Sequence, residues 1–403
     1  MSNSNTLIDH LNLPSKKKDL DWIKKTLQSA IELEHATLPL YLSTMFSLEV
    51  QNYTTYNFIR SVVMEEMVHM AISCNILSSL GGKPTIKNLS PKFPGHGLPG
   101  GVEPDIEVVL TRLSIPQLKN FMRLESPTFL LPDEFKQEEY PSIGKLYGQL
   151  KDAITNNAEE VTKIVRKVLS TPADTFSNQV GDNIGFTIMQ LKEDHPNNIS
   201  EVDQIIDGIN EIIEQGEGSE KGNLWAESFE DEESHYARFG EIYYGGRLEK
   251  PLGDIKLTKE TEPKFFKGHK ISWPVVTNIL TIPSDGYQTL LKSYSSMDPK
   301  NTDLEALTKA LDEFDLTYTR IMNDLDAMWN GPAAESWKKF GAAVGAMMEM
   351  RVKSCFNIMR YEVPKNLIEN LKTIYPKEYD VLARYTDLST PVFFGPRFIN
   401  QNA

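Results

Sequence analysis

The feature that most restricts this 403-residue chain is a repeated Glu-x-x-His motif set inside apolar stripes. The stretch VVMEEMVHMAI, residues 62–72, carries Glu66 and His69; EDEESHYARF, residues 230–239, carries Glu232 and His235. A spacing of three puts both groups of a pair on one face of a helix. Glu66 and His69 share their face with Ile59, Val62, Ser73, Ile76 and Leu80, and Glu232 and His235 share theirs with Trp225, Phe229, Phe239 and Ile242. A carboxylate and an imidazole buried among apolar side chains destabilise the fold unless something satisfies them. The chain must therefore either expose these groups or hold a partner for them.

Helical periodicity runs through most of the sequence. Leu27, Ile31, Glu34, Leu38, Tyr41, Met45 and Leu48 recur at steps of three and four, predicting a helix over 20–50. Pro39 should remove its bond to the His35 carbonyl and kink that helix. A second helix is predicted over 54–80, stopped by GGKP. Residues 83–130 are rich in Pro and Gly, with a candidate strand at IEVVLTRL, and residues 142–170 read as helical. Ser200, with Asp203 in the capping-box position, starts a third bundle helix whose buried face is Val202, Ile206, Ile209 and Ile213. A fourth is predicted over about 225–244, and two more follow from Leu304 to Met328 and from Trp337 to Cys355.

Glu34 takes an apolar place in the first stripe. It lies 17 residues before the turn near residue 51, and Glu66 lies 15 after it, so antiparallel packing sets them level. The third helix offers Glu211, Glu214 and Glu217; helical phase favours Glu217, with Glu214 as the alternative. One Glu from each of two helices and Glu-x-x-His from each of the other two is the ligand pattern of carboxylate two-metal bundles. The expected metal set is thus Glu34, Glu66, His69, Glu217, Glu232 and His235, holding two iron ions, with manganese as the alternative metal. Carboxylates offset the charge of two cations, and imidazole suits iron as a neutral ligand. A third Glu-x-x-His, Glu32 with His35, sits on a less apolar face and reads as a packing pair; Tyr41 and Cys74 read as core, and Glu65 and Glu233 as solvent-facing or ion-paired.

Composition removes other classes. Asp and Glu number 56 against 42 Lys and Arg, a net charge of −14, so neither a basic face for nucleic acid nor a polybasic patch for an anionic membrane is expected. No apolar run reaches the ~18 residues of a membrane span, and the first residues, MSNSNTLIDH, have no signal-peptide core. Two cysteines without a CxxC fit free thiols in a cytoplasm.

IELEHATLPLYL, RSVVMEEMVHMAISCNILSSLGGKP, FMRLESP, IIEQGEG, ESHYARFGEIYYGG and LTYTRIMNDLDAMWNG together resemble the bacterial ferritin-like family of the iminophenyl-pyruvate dimer synthase (VioB-like) type. The resemblance implies an all-α, ferritin-like four-helix bundle, iron-associated and often encoded with natural-product pathways, with the six residues above as its ligands. The expected organisation is a bundle over 1–250, with an insertion over 83–180 forming a pocket wall, and a C-terminal helical extension over 251–403 packed on it. The expected function is a two-iron oxidase or oxygenase using dioxygen on a small organic substrate, an amino-acid-derived amine or imine. Iron storage or detoxification, and a non-catalytic scaffold subunit, are the competing readings. A second copy of the chain, or a pathway enzyme, is the expected protein partner.

Overall fold

The computed structural model describes residues 10–49, 53–131, 142–171, 179–180, 189–192, 195, 197–217, 224–226, 232–253, 255–281 and 302–403. Helix α1, Leu20–Phe46, begins where the Asp19 side chain accepts the Trp22 N–H at 3.0 Å. It passes Pro39 without ending, so the expected interruption does not divide it. Every residue from Leu33 to Phe46 is buried. This helix therefore has no solvent face along that length, and its apolar stripe marks only one of its packed sides.

Helix α2, Tyr53–Ser79, packs along α1. It stops as expected at Gly81, whose φ of +74° is a left-handed conformation that glycine adopts without a Cβ clash. The N–H groups of Gly81 and Gly82 close the last turn onto the carbonyls of Ser78 and Leu77, both at 2.9 Å.

The segment after α2 forms an antiparallel hairpin, β1 Gly95–Leu98 with β2 Val102–Val108. Helix α3, Ile115–Leu124, follows with Ser114 as its cap. The region expected to be helical over 142–170 is so, as two helices, α4 Ile143–Asn156 and α5 Ala158–Leu169. Asn157 parts them; its side-chain amide donates to the carbonyls of Ala153 and Lys18 at 2.7 and 2.9 Å. Helix α6, Glu201–Glu217, starts at the expected cap, where Ser200 Oγ accepts the Asp203 N–H at 3.1 Å. It packs on α2, α4 and α7.

Helix α7 is His235–Tyr244, ten residues shorter at its start than the periodicity predicts. Ser234 caps it, accepting the Ala237 N–H, and Glu232–Glu233 upstream form a short strand β4 paired with β3, Trp225–Ala226. The helical phase of Glu232 relative to His235 is lost there.

The C-terminal part holds α8 Thr302–Asn330, α9 Ser336–Val352 with a wide π turn at Lys353–Ile358, α10 Lys365–Ile374 and α11 Pro376–Tyr385. The short strands β5, Ile279–Leu280, and β6, Phe393–Phe394, pair in parallel. Helix α8 covers the second side of α1 and α2. Tyr318 Oη lies 2.8 Å from His35 Nε2, and Trp329 Nε1 donates to Asn75 Oδ1 at 3.0 Å. One continuous apolar core joins these helices to the bundle. The fold is all-α, and among the described residues no helix is long and apolar enough to cross a membrane. Cys74 and Cys355 are free thiols.

His35 gives this packing a measurable signature. Burial alone pushes its pKa down to about 4, so it is neutral in the fold and faces Tyr318. A folded value below the unfolded 6.5 means stability is full above pH 6.5 and is lost as pH falls toward 4. The loss across that window is expected to reach about 3 kcal/mol. Denaturant titrations at pH 7 and pH 4.5 should show it, and His35→Gln should flatten it; an equal pH dependence in the variant would exclude His35 as the source.

Candidate metal centre

Five buried groups from four helices meet beside one small cavity. Glu34 comes from α1, Glu66 and His69 from α2, Glu125 from the C-cap of α3 and His235 from the first position of α7. Glu34 Oε2 and Glu66 Oε1 each lie 3.8 Å from His69 Nδ1. Glu66 Oε1 lies 3.0 Å and Glu125 Oε2 3.5 Å from His235 Nδ1. Glu66 therefore stands between two half-sites, Glu34 with His69 and Glu125 with His235. The two imidazole rings are 5.3 Å apart and nearly parallel.

Each group is anchored by one atom and turns another inward. Tyr147 of α4 donates its hydroxyl to Glu34 Oε1, Thr37 to Glu66 Oε2 and Tyr41 to Glu125 Oε1. The second oxygens of these carboxylates face the imidazoles. His69 Nε2 donates to Gln215 Oε1 of α6 at 2.8 Å, and His235 Nε2 to Glu65 Oε2 at 3.1 Å. An outer acceptor on Nε2 fixes the tautomer that leaves Nδ1 as a lone pair, the usual arrangement of a metal-binding histidine. His235 Nδ1 makes no hydrogen bond, although two carboxylates surround it. Ligand atoms of Glu66, His69 and His235 all lie within 4.8 Å of one another. An orphaned buried nitrogen facing two carboxylate oxygens is a donor set that could hold a cation, and its oxygen and imidazole chemistry suits iron, manganese or zinc.

Electrostatics point the same way. Burial, then Glu125 and Glu34, push the Glu66 carboxyl up to about 7. Burial opposes charge on both histidines, but Glu34 outweighs it at His69, and Glu125, Glu65 and Glu66 outweigh it at His235, so both rise. Glu65 is held down at about 2: burial opposes this, but His235 and Arg238 prevail. Burial and the neighbouring carboxylates raise the hydroxyls of Tyr41 and Tyr147 well above the usual range. Without a cation, protons take over the work of balancing the carboxylates.

Glu34, Glu66, His69 and His235 of the predicted set come together here. Glu232 does not: its side chain is 49% exposed on β4 and pairs with Arg238 at 3.3 Å. Its expected place rested on a helix that begins three residues too late to carry it. The side chain of Glu217 lies outside the described residues. Glu214 is half-buried and does not line the cavity; the α6 residue that reaches the centre among those described is Gln215. Glu125 was not predicted from spacing. Its signal was the stretch FMRLESP, singled out only through family resemblance. Tyr41, expected as core, is buried but also bonds a candidate ligand.

The cavity offers a water-accessible volume of about 20 Å³. Beyond the carboxylates and His69, its wall includes Leu124, Ile143, Tyr147, Ile212, Ile213 and Gly216. A sequence profile of the ferritin-like family matches residues 27–244. The chain belongs to the ferritin-like family. This match begins inside α1 and ends with α7, and so contains every group of the centre. A ferritin-like protein from Caulobacter vibrioides, solved by crystallography, is similar at a TM-score of 0.46 and 18% identity, over 82% of this chain and 94% of that one. Comparison with curated proteins gives no match. Relative to a bare bundle, this ferritin-like chain surrounds its centre with two further helices, α3 and α4, from the segment between α2 and α6.

Proposed function

We propose that this ferritin-like protein is a two-iron oxidase or oxygenase of the iminophenyl-pyruvate dimer synthase (VioB-like) type. It would act with dioxygen on a small organic amine or imine in cytoplasmic secondary metabolism. The observation that carries this reading is the inward set of Glu34, His69, Glu66, His235 and Glu125, each anchored from behind. Glu34 and His69 would hold one ion, Glu125 and His235 the other, and Glu66 would lie between them. Iron bound there supplies the capacity to activate dioxygen. The chain's own part is positioning and exclusion. Leu124, Ile143, Ile212 and Ile213 keep bulk water from the ligands. Tyr147, on the cavity wall, holds its proton on the Glu34 carboxylate.

A cavity near 20 Å³ accommodates a water- or dioxygen-sized molecule. An organic substrate would meet the centre at the mouth between α4 and α6. This small volume is also the observation that favours the second reading, iron oxidation for storage or detoxification. Oxygen uptake by the iron-loaded protein separates the two. Uptake that continues with turnover of an added aryl-pyruvate imine supports the oxidase. Uptake that tracks added ferrous iron alone, with ferric iron accumulating well beyond two per chain, supports storage and rejects the oxidase.

A further inference from the structure

Helix α9 carries a face that the monomer does not use. Gly341 and Gly345 sit in the interior of this helix, exposed, with no atom of the described residues within 4 Å of where a Cβ would stand. Interior glycine weakens a helix relative to alanine, and nothing among the described residues requires it at either position. Met348, Val352 and Phe356 continue the same face and are 49%, 54% and 69% exposed. The spacings 341, 345, 348, 352 and 356 form one narrow stripe along α9 and into its π turn. Leu316 of the neighbouring α8, 54% exposed, adds to it. The Arg320–Glu349 pair at 2.8 Å shows how these two helices lie together at the edge of the face.

We infer that this face is a two-fold interface between two copies of the chain, α9 packed antiparallel on α9. The stripe is small at its N-terminal end and large at its C-terminal end. A two-fold axis between residues 348 and 349 therefore sets Phe356 of each copy over Gly341 of the other, and Val352 over Gly345. Both matches occur in the same register, because each pair of numbers has the same midpoint. Met348 meets its counterpart at the axis. Self-complementary patches of this kind are what isologous dimers use. The four large side chains present roughly 400 Å² of apolar surface per copy, the size of the largest and often functional patch on a monomer. Two such faces with their rims reach about 1,000 Å², the lower bound for a biological interface. Glu349 does not oppose close approach near the axis, since Arg320 and Lys353 already neutralise it.

The test uses the full chain in sedimentation velocity from about 1 to 100 µM. The wild type is expected to dimerise across this range. Gly345→Leu fills space that is open in the monomer and favours the helix, so it should fold normally and weaken the dimer at least tenfold; Val352→Lys with Phe356→Lys should abolish it. Met348→Cys should give a disulfide-linked dimer on mild oxidation, whereas Leu252→Cys, 98% exposed elsewhere, should not. A dimer unaffected by these variants would overturn the inference, as would a monomer at all concentrations.

Discussion

Glu66→Gln is expected to stabilise the metal-free protein and to abolish its response to iron. The Glu66 carboxyl stands at about 7, raised by burial, Glu125 and Glu34. A folded value above the unfolded 4.5 means the native state holds a proton that the unfolded chain does not. The stabilising contribution of that proton is complete below pH 4.5 and is lost as pH rises through about 7. At pH 8 the ionised group destabilises the metal-free fold by about 3 kcal/mol, which the neutral amide removes. The amide oxygen can still accept the Thr37 hydroxyl. Denaturant titration of metal-free protein should show the variant ahead by about 2–3 kcal/mol at pH 8, with the gap closing by pH 4.5. With ferrous iron the order should reverse, because only the wild type gains binding energy. A variant less stable than wild type at both pH values would show that Glu66 is a structural carboxylate and not a ligand held ready for a cation.

Glu125→Ala and Glu232→Ala form the second contrast, and they separate the three-dimensional site from the one that helix spacing suggests. Glu125 Oε2 is 3.5 Å from His235 Nδ1, whereas Glu232 is half-exposed on β4. Losing Glu125 should reduce iron from two to one per chain, weakening the second ion by more than the roughly 10- to 100-fold typical of an outer partner. Losing Glu232 should leave iron content unchanged. Glu125→Gln, which keeps the Tyr41 hydrogen bond, guards against simple misfolding. Iron loss from Glu232→Ala with retention in Glu125→Ala would restore the helical Glu-x-x-His assignment.

The difference between those two glutamates explains what could be read from the chain. Glu34, Glu66 and His69 lie deep within long helices, where a polar residue in an apolar stripe can be recognised by its period. His235 was identified the same way, but by a helix extended too far upstream. Ser234 directly before it is a helix-capping residue type, and it marks the true start. Glu125 follows the last turn of a ten-residue helix and reaches the site through tertiary packing of α3 on α7. No periodicity reports such a position. The same limit applies to Tyr147 and Gln215, whose roles depend on how α4 and α6 dock. The all-round burial of α1 was hidden because its second side is covered by α8, with Tyr318 lying 283 residues after His35.

Iron content per chain after anaerobic loading, with an absorption spectrum before and after oxygen, tests the central claim most directly. Two half-sites sharing Glu66 predict about two ferrous ions per chain and an oxygen-dependent change in absorption. Wild-type protein that binds no iron, and whose spectrum ignores oxygen, would contradict the two-metal centre and leave the buried cluster of Glu34, Glu66, Glu125, His69 and His235 as a proton-balanced structural network.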